Sequence, residues 1–253
     1  MGALKGKNAL VTGTSQGIGA AIAKNLIEAE CNICMHYFRS SEEPERMKVD
    51  AIERGQNAAC LQADLTNEDD VKRCINEAVE IFGTFDVLIN NSGALVERRS
   101  ISALDLAYWG KLIDINLTSM MLVTKELEPY LNKKDGSSIV NISSLAGRKG
   151  GHPGSLVYST TKGAVLTWTR SLSAELAHLG IRVNTVAPGF IEGTSFHKTH
   201  TSHESALNTI AGIPLGRSGN PEDVARAVTF LASEYDGFIT GETIDINGGV
   251  YCA

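Results

Sequence analysis

With 253 residues, 43% of them hydrophobic and 21% charged, the chain has the composition of one folded globular domain, not of a disordered or fibrous protein. Lys and Arg number 23 against 29 Asp and Glu, and the net charge of −6 has the wrong sign for a protein whose main partner is nucleic acid. No apolar run approaches the roughly 18 residues that cross a bilayer, and the N-terminus turns polar too soon for a secretory signal. No membrane partner and a cytoplasmic location are expected. Gly2 invites a myristoylation reading, which Gly6 at the Ser/Thr position of that motif removes.

Short apolar runs alternate with longer segments of helical period along the whole chain, the pattern of a parallel sheet with helices on both faces. The expected strands are Asn8–Thr12, Asn32–Phe38, Ala58–Gln62, Phe85–Asn90, Ser138–Ile142, Arg182–Val186 and Glu242–Ile246. After the first, Ile18, Ile22, Leu26 and Ala29 keep one helix face apolar, and Val71, Ile75, Ala78 and Val79 do so for a later crossover helix. No repeat or linker divides the chain, so residues 1–253 are read as a single α/β domain with a doubly wound sheet. Ile191–Gly216 breaks the rhythm after the sixth strand. It is polar, rich in His, Thr and Ser, and expected to form a lid over a site.

Cys31 and Cys34 form a C-x-x-C pair inside the second apolar run, where residues three apart point to opposite faces. They are expected to be buried small hydrophobes, not a redox or zinc pair. Five sparse cysteines fit a reducing compartment. His197, His200 and His203 lack the i, i+4 spacing of a zinc-binding helix, so a polar lid is expected there and no metal ligand is assigned.

Directly after the first strand, Gly13, Ser15, Gln16, Gly17, Ile18 and Gly19 form a glycine-rich loop that opens a helix. Glycines let backbone approach a pyrophosphate, and the helix N-terminus offers N–H groups and partial positive charge. The spacing differs from G-x-G-x-x-G, and taken alone a loop without ligand explains it equally well. In dinucleotide folds an acidic residue after the second strand holds the adenosine ribose. Here the segment reads His36, Tyr37, Phe38, Arg39, Ser40. With no carboxylate available, Arg39 can meet a 2′-phosphate, so NADP(H) is favoured and NAD(H) stays open.

Further along stand Asn90, Asn91, Ser92 and Gly93, then Asn116, Ser144, Tyr158 and Lys162, Pro188 with Gly189, and a closing Asn247, Gly248, Gly249. With the loop at Thr12 to Gly19, these motifs in this order resemble the short-chain dehydrogenase/reductase family over essentially the whole chain. The resemblance implies a Rossmann-like sheet of seven parallel strands. It also implies that Asp64 and Leu65 flank the adenine, that Asn90, Asn91 and Gly93 line the cofactor cleft, and that Ile191 and Thr194 approach the nicotinamide. It implies catalytic roles for Asn116, Ser144, Tyr158 and Lys162, with Asn116 holding a water that links the lysine to solvent, and it implies a homotetramer. Two departures from the family pattern are an extra Gly193 before Thr194 and a Ser144 one position further from Tyr158 than usual.

Reducing a carbonyl needs a hydride on carbon and a proton on oxygen, and the protein must supply the second. Tyr158 is the expected donor. Bringing a phenol from pH 10 to near neutrality takes roughly three units, about 4 kcal/mol, of stabilisation of the phenolate. Lys162, four residues on and on the same helix face, is expected to supply much of it. Ser144 at the end of the fifth strand is placed to stabilise charge on the substrate oxygen. Ser155 is expected near the N-cap of the Tyr158 helix and Ser143 on the opposite face of its strand.

The leading expectation is an NADP(H)-dependent oxidoreductase acting on a small ketone or secondary alcohol. The C-terminal third resembles 3-oxoacyl-thioester reductases and their sugar or polyol dehydrogenase cousins. Leu179 before Gly180 departs from the arginine those reductases often carry for an acyl carrier protein. A non-catalytic NADP(H)-binding regulatory protein is the alternative of another class, against which Ser144, Tyr158 and Lys162 stand. An epimerase or dehydratase typically needs a larger C-terminal substrate domain than this chain has.

Overall fold

Seven parallel strands, β1 (Asn8–Val11), β2 (Asn32–Tyr37), β3 (Ala58–Gln62), β4 (Val87–Asn90), β5 (Ser137–Ile142), β6 (Ile181–Pro188) and β7 (Thr243–Ile246), form one sheet in the order β3-β2-β1-β4-β5-β6-β7. The structure, a computed structural model, describes residues 3–194, 203–233 and 237–253. Strand pleating sends alternate side chains to two separate cores. Ala9, Val11, Ile33, Met35, Val87 and Ile89 join the first, while Leu10, Cys34 and Leu88 join the second. The first core is covered by α1 (Gly17–Glu28), α2 (Glu42–Glu53) and, much further on, α9 (Pro221–Ala232). The second is covered by α3 (Glu68–Phe82), α5 (Ser119–Leu127) and α7 (Leu156–Leu176). Remaining helices are α4 (Leu106–Ile113), the short α6 (Leu145–Lys149) and α8 (His203–Ala211).

Sequence explains several boundaries. Asn67 caps α3 by accepting from Asp70 N, and three acids in its first turn suit the helix dipole. Asn220 and Asp223 form a reciprocal capping box with Pro221 opening α9. Expected boundaries shift in a few places. Phe85 lies outside β4 and bridges Leu131 instead, α1 stops at Glu28, and β6 runs on to Pro188. Cys31 and Cys34 are buried in different cores as free thiols, and burial pushes Cys31 up to about 12 and Cys34 well above the ordinary range. Val165 and Leu166 are core residues. Among the described residues no helix is long and apolar enough to cross a membrane.

β1 pairs with β2 on one side and β4 on the other, so strand order reverses there and the loops leaving β1 and β4 part. A crevice opens at the carboxyl ends of the strands at such a switch point. That crevice holds the expected site.

Candidate active site

The chain leaves β1 through Gly13 (φ +71°) and Gly17 (φ +58°), conformations that suit only glycine well. Gly19, in the first turn of α1, packs so tightly that a Cβ on it would stand 2.1 Å from Gly13 O and 2.4 Å from Asn91 Nδ2. Helix α1 has no side-chain N-cap and no acid in its first turn, so its opening N–H groups and their partial positive charge are left for an anion. A cradle that side chains would fill, at an uncapped helix start, fits the pyrophosphate of a dinucleotide.

Two clamps hold this loop. On one side Asn91 Nδ2 donates to Thr12 O and Gly13 O at 2.9 and 3.1 Å, while Asn91 N and Ser92 N donate to Thr12 Oγ1. On the other, Gly13 N donates to His36 Nδ1 at 3.2 Å, and Thr14 N and Oγ1 donate to His36 O. His36 Nε2 faces Ala63 O at 3.0 Å, which assigns the proton to Nε2 and leaves Nδ1 as acceptor. Burial lowers the His36 pKa below its ordinary value, so the neutral ring is the native form. The sequence reading missed this residue; a lone histidine in an apolar strand carries no motif.

A cleft of about 1600 Å³ runs along the carboxyl ends of the strands. Gly13, Gln16, Gly17, Ile18, Gly19, Arg39, Asp64, Leu65, Asn91 and Gly93 line it, as do Tyr158, Lys162, Pro188, Gly189, Ile191 and Thr194. Arg39 is exposed, stacks on the Phe38 ring with 4.9 Å from Cζ to the centroid, and makes no ion pair among the described residues. Two expectations need correction. Ser15 does not line the cleft; its Oγ donates to Ser40 O at 2.6 Å and ties the loop to the segment after β2. Asn90 faces the interior, donating to Thr124 and Asn141 at 3.0 and 2.9 Å, because the strand's alternation turns it away from Asn91.

Gly193, the extra residue, is accommodated in a left-handed turn (φ +79°) against Pro221, and Thr194 Oγ1 donates to Ile191 O at 3.2 Å. In the expected lid, α8 contributes Glu204, Ser205, Asn208 and Thr209 to the cleft. His197 and His200 lie outside the described residues, as does the side chain of His203.

Ser144, Tyr158 and Lys162 meet at the other end of the cleft. Ser144 is the N-cap of α6, its Oγ accepting from Ala146 N at 3.1 Å, so the hydroxyl hydrogen remains free to reach the Tyr158 oxygen, with which it is hydrogen-bonded. Ser143 also lines the cleft, and its hydroxyl donates to Lys162 O at 2.7 Å, which ties it to the α7 backbone. Ser155 occupies the N-cap position of α7 but does not cap it; its Oγ donates to His152 O at 2.6 Å. Lys162 is 4% exposed, its Nζ donates to Ile142 O at 2.8 Å and lies 5.9 Å from the Tyr158 ring centroid. The four-residue offset on α7 thus brings the two side chains together.

The electrostatics differ from expectation. Burial pushes the Tyr158 phenol up to about 12, with the Ser144 hydrogen bond acting in the opposite direction, and burial pushes Lys162 down to about 8. Burial disfavours the charged form of each group, and it is the largest cause for both.

Asn116 is 1% exposed and lies behind the cleft wall. Its Oδ1 accepts from Ala94 N at 2.9 Å, and its Nδ2 donates to Ala94 O and Leu112 O at 2.8 and 3.0 Å. The backbone makes room with a π-helical turn, Asp114–Thr118, between α4 and α5. The side chain therefore ties the Gly93–Ala94 loop to α4.

The family described as Enoyl-(Acyl carrier protein) reductase matches residues 13–251. The chain belongs to the short-chain dehydrogenase/reductase family, in the branch of the 3-oxoacyl reductases, and is an NAD(P)-dependent oxidoreductase by that membership. It is 38% identical over 245 residues to the 3-oxoacyl-[acyl-carrier-protein] reductase FabG of Staphylococcus aureus, covering 97% of this chain and 98% of that one. The corresponding reductase of Synechocystis is 36% identical, with 99% of each covered. Among solved structures, the NADH-dependent reductase A1-R′ responsible for alginate metabolism superposes with a TM-score of 0.90 at 30% identity over the whole of both chains. A blue fluorescent protein from a metagenomic library, solved in complex with NADPH, gives 0.92 at 29%, covering 99% of this chain and all of that one.

Proposed function

We propose that this protein is an NADP(H)-dependent reductase of a ketone, with Tyr158 as proton donor and a 3-oxoacyl thioester as the substrate class its relatives favour. The observation that carries the reading is the convergence of Ser144, Tyr158 and Lys162 on the cleft that begins at the glycine cradle. Gly13, Gly17, Gly19 and the α1 N-terminus would hold the pyrophosphate, Arg39 the 2′-phosphate, Asp64 and Leu65 the adenine side, and Ile191 and Thr194 the nicotinamide side. A bound nicotinamide supplies or accepts the hydride.

The chain's residues handle the proton and the charge. Ser144 donates to the carbonyl oxygen as negative charge grows on it, and Tyr158 passes its proton to the same atom. With the phenol raised to about 12, Tyr158 is protonated at neutral pH, the form that reduction requires and alcohol oxidation does not. Lys162, fixed by Ile142 O, keeps a cation beside the phenolate that each reduction leaves behind. A homotetramer and a cytosolic location belong to the same reading. Purified protein should consume NADPH with acetoacetyl thioesters, and Tyr158→Phe should abolish turnover with NADPH affinity nearly intact. Retained turnover would mean that another acid does the work; NADPH binding without turnover of any ketone would favour the regulatory reading.

A further inference from the structure

Beside Ser144 the cleft wall is cationic, and two loops build it. One follows β4 and carries Arg98; the other joins α6 to α7, with Lys149 as the last residue of α6. They are stitched together where Arg99 N donates to Gly154 O at 3.0 Å and Arg98 Nη1 donates to Pro153 O at 3.2 Å. Gly154 has φ +82°, and a Cβ on it would stand 2.8 Å from Arg98 Cβ, so glycine is what lets Arg98 lie there. Val96 in the same loop has φ +66°, a conformation a β-branched residue keeps only when its surroundings impose it. Val96, Arg98, Lys149 and His152 all line the cleft that contains Ser144 and Tyr158.

The two cationic pairs in these segments divide in the same way. Arg99 is neutralised by Glu97 and Asp105, and Arg148 by Asp245. Their neighbours Arg98 and Lys149 make no ion pair among the described residues and face the cleft. Carboxylates in the described lining are Asp64, at the β3 end, and Glu204 on α8. A guanidinium with most of its N–H donors unused, in the same cleft wall as an unpaired ammonium, matches a carboxylate or phosphate.

We infer that Arg98 and Lys149 form an anion subsite, and that the substrate carries a carboxylate or phosphate beside its reacting carbonyl group or on its thioester arm. This rests on the ketone-reductase reading above. Two matched pairs test it and separate the sources of charge: acetoacetate against ethyl acetoacetate for a carboxylate, acetoacetyl-coenzyme A against the neutral acetoacetyl-N-acetylcysteamine for a phosphate. The wild type should prefer the anionic member of at least one pair by tenfold or more in kcat/KM. Arg98→Gln with Lys149→Gln should cut kcat/KM on that member 10- to 100-fold and leave its neutral counterpart and NADPH affinity within about twofold. Equal losses on both members, or none, would overturn the subsite. Should no ketone be turned over, the reductase reading fails separately, and calorimetry of 3-hydroxybutyrate against its methyl ester decides: binding of the acid alone, lost in the double variant, supports the subsite, and any other result refutes it.

Discussion

Gly93 lies so close to Lys162 that a Cβ on it would stand 3.0 Å from Nζ, and 2.8 Å from the Asn116 Oδ1 that fixes the next peptide. A glycine from another loop thus leaves the room that the buried ammonium occupies. Gly93→Ala should displace the ammonium from the phenol, because Asn116 is anchored and Lys162 is the partner able to move. We expect a turnover loss of tenfold or more with a stability cost of about 1–3 kcal/mol. Steady-state kinetics with thermal unfolding checks it; unchanged kcat would show that the ammonium position is unimportant.

Lys162 is costly to bury. Its folded value of about 8 lies below the ordinary 10.5, so the folded state resists the proton that the unfolded chain binds. The penalty is present in full below about pH 8 and is relieved as pH rises from there toward 10.5. Lys162→Met should therefore be more stable than the wild type at pH 7, by up to about 3 kcal/mol, with turnover lost. Denaturant unfolding at pH 7 and pH 10 should show the gap narrowing at the higher pH.

For His36 the sign is worked the same way. Its folded pKa is depressed by burial, so stability is held above the ordinary histidine range and declines as pH falls through it. Protonation would turn Nδ1 into a donor facing the Gly13 N–H. Gly13 amide exchange, corrected for its intrinsic pH dependence, should therefore speed up under mild acid, along with a falling Tm. In His36→Gln both trends should flatten; identical profiles would remove His36 from the clamp.

Arg39 stacks on Phe38 at the mouth of the adenine end without an acidic partner among the described residues. Arg39→Ala should weaken NADPH at least tenfold and NADH by less than twofold, measured by fluorescence titration. A constant ratio of the two affinities would place the 2′-phosphate elsewhere.

Much of this protein could be read from local order along the chain. The short apolar runs placed all seven strands, and the loop from Gly13 to Gly19 marked its own position because its glycines follow a strand and open a helix. Tyr158 and Lys162 were legible as a pair because one helical turn separates them. These signals survive without tertiary context, since periodicity and offset depend only on backbone geometry. What the sequence could not decide is how desolvation acts: that burial drives Tyr158 upward and Lys162 downward, that Asn116 faces a loop and not the cleft, that His36 serves as a clamp, and which of Arg98 and Arg99 is neutralised. Each of those depends on groups far apart in the chain, whose distances and exclusion of water exist only once the sheet and its loops have assembled.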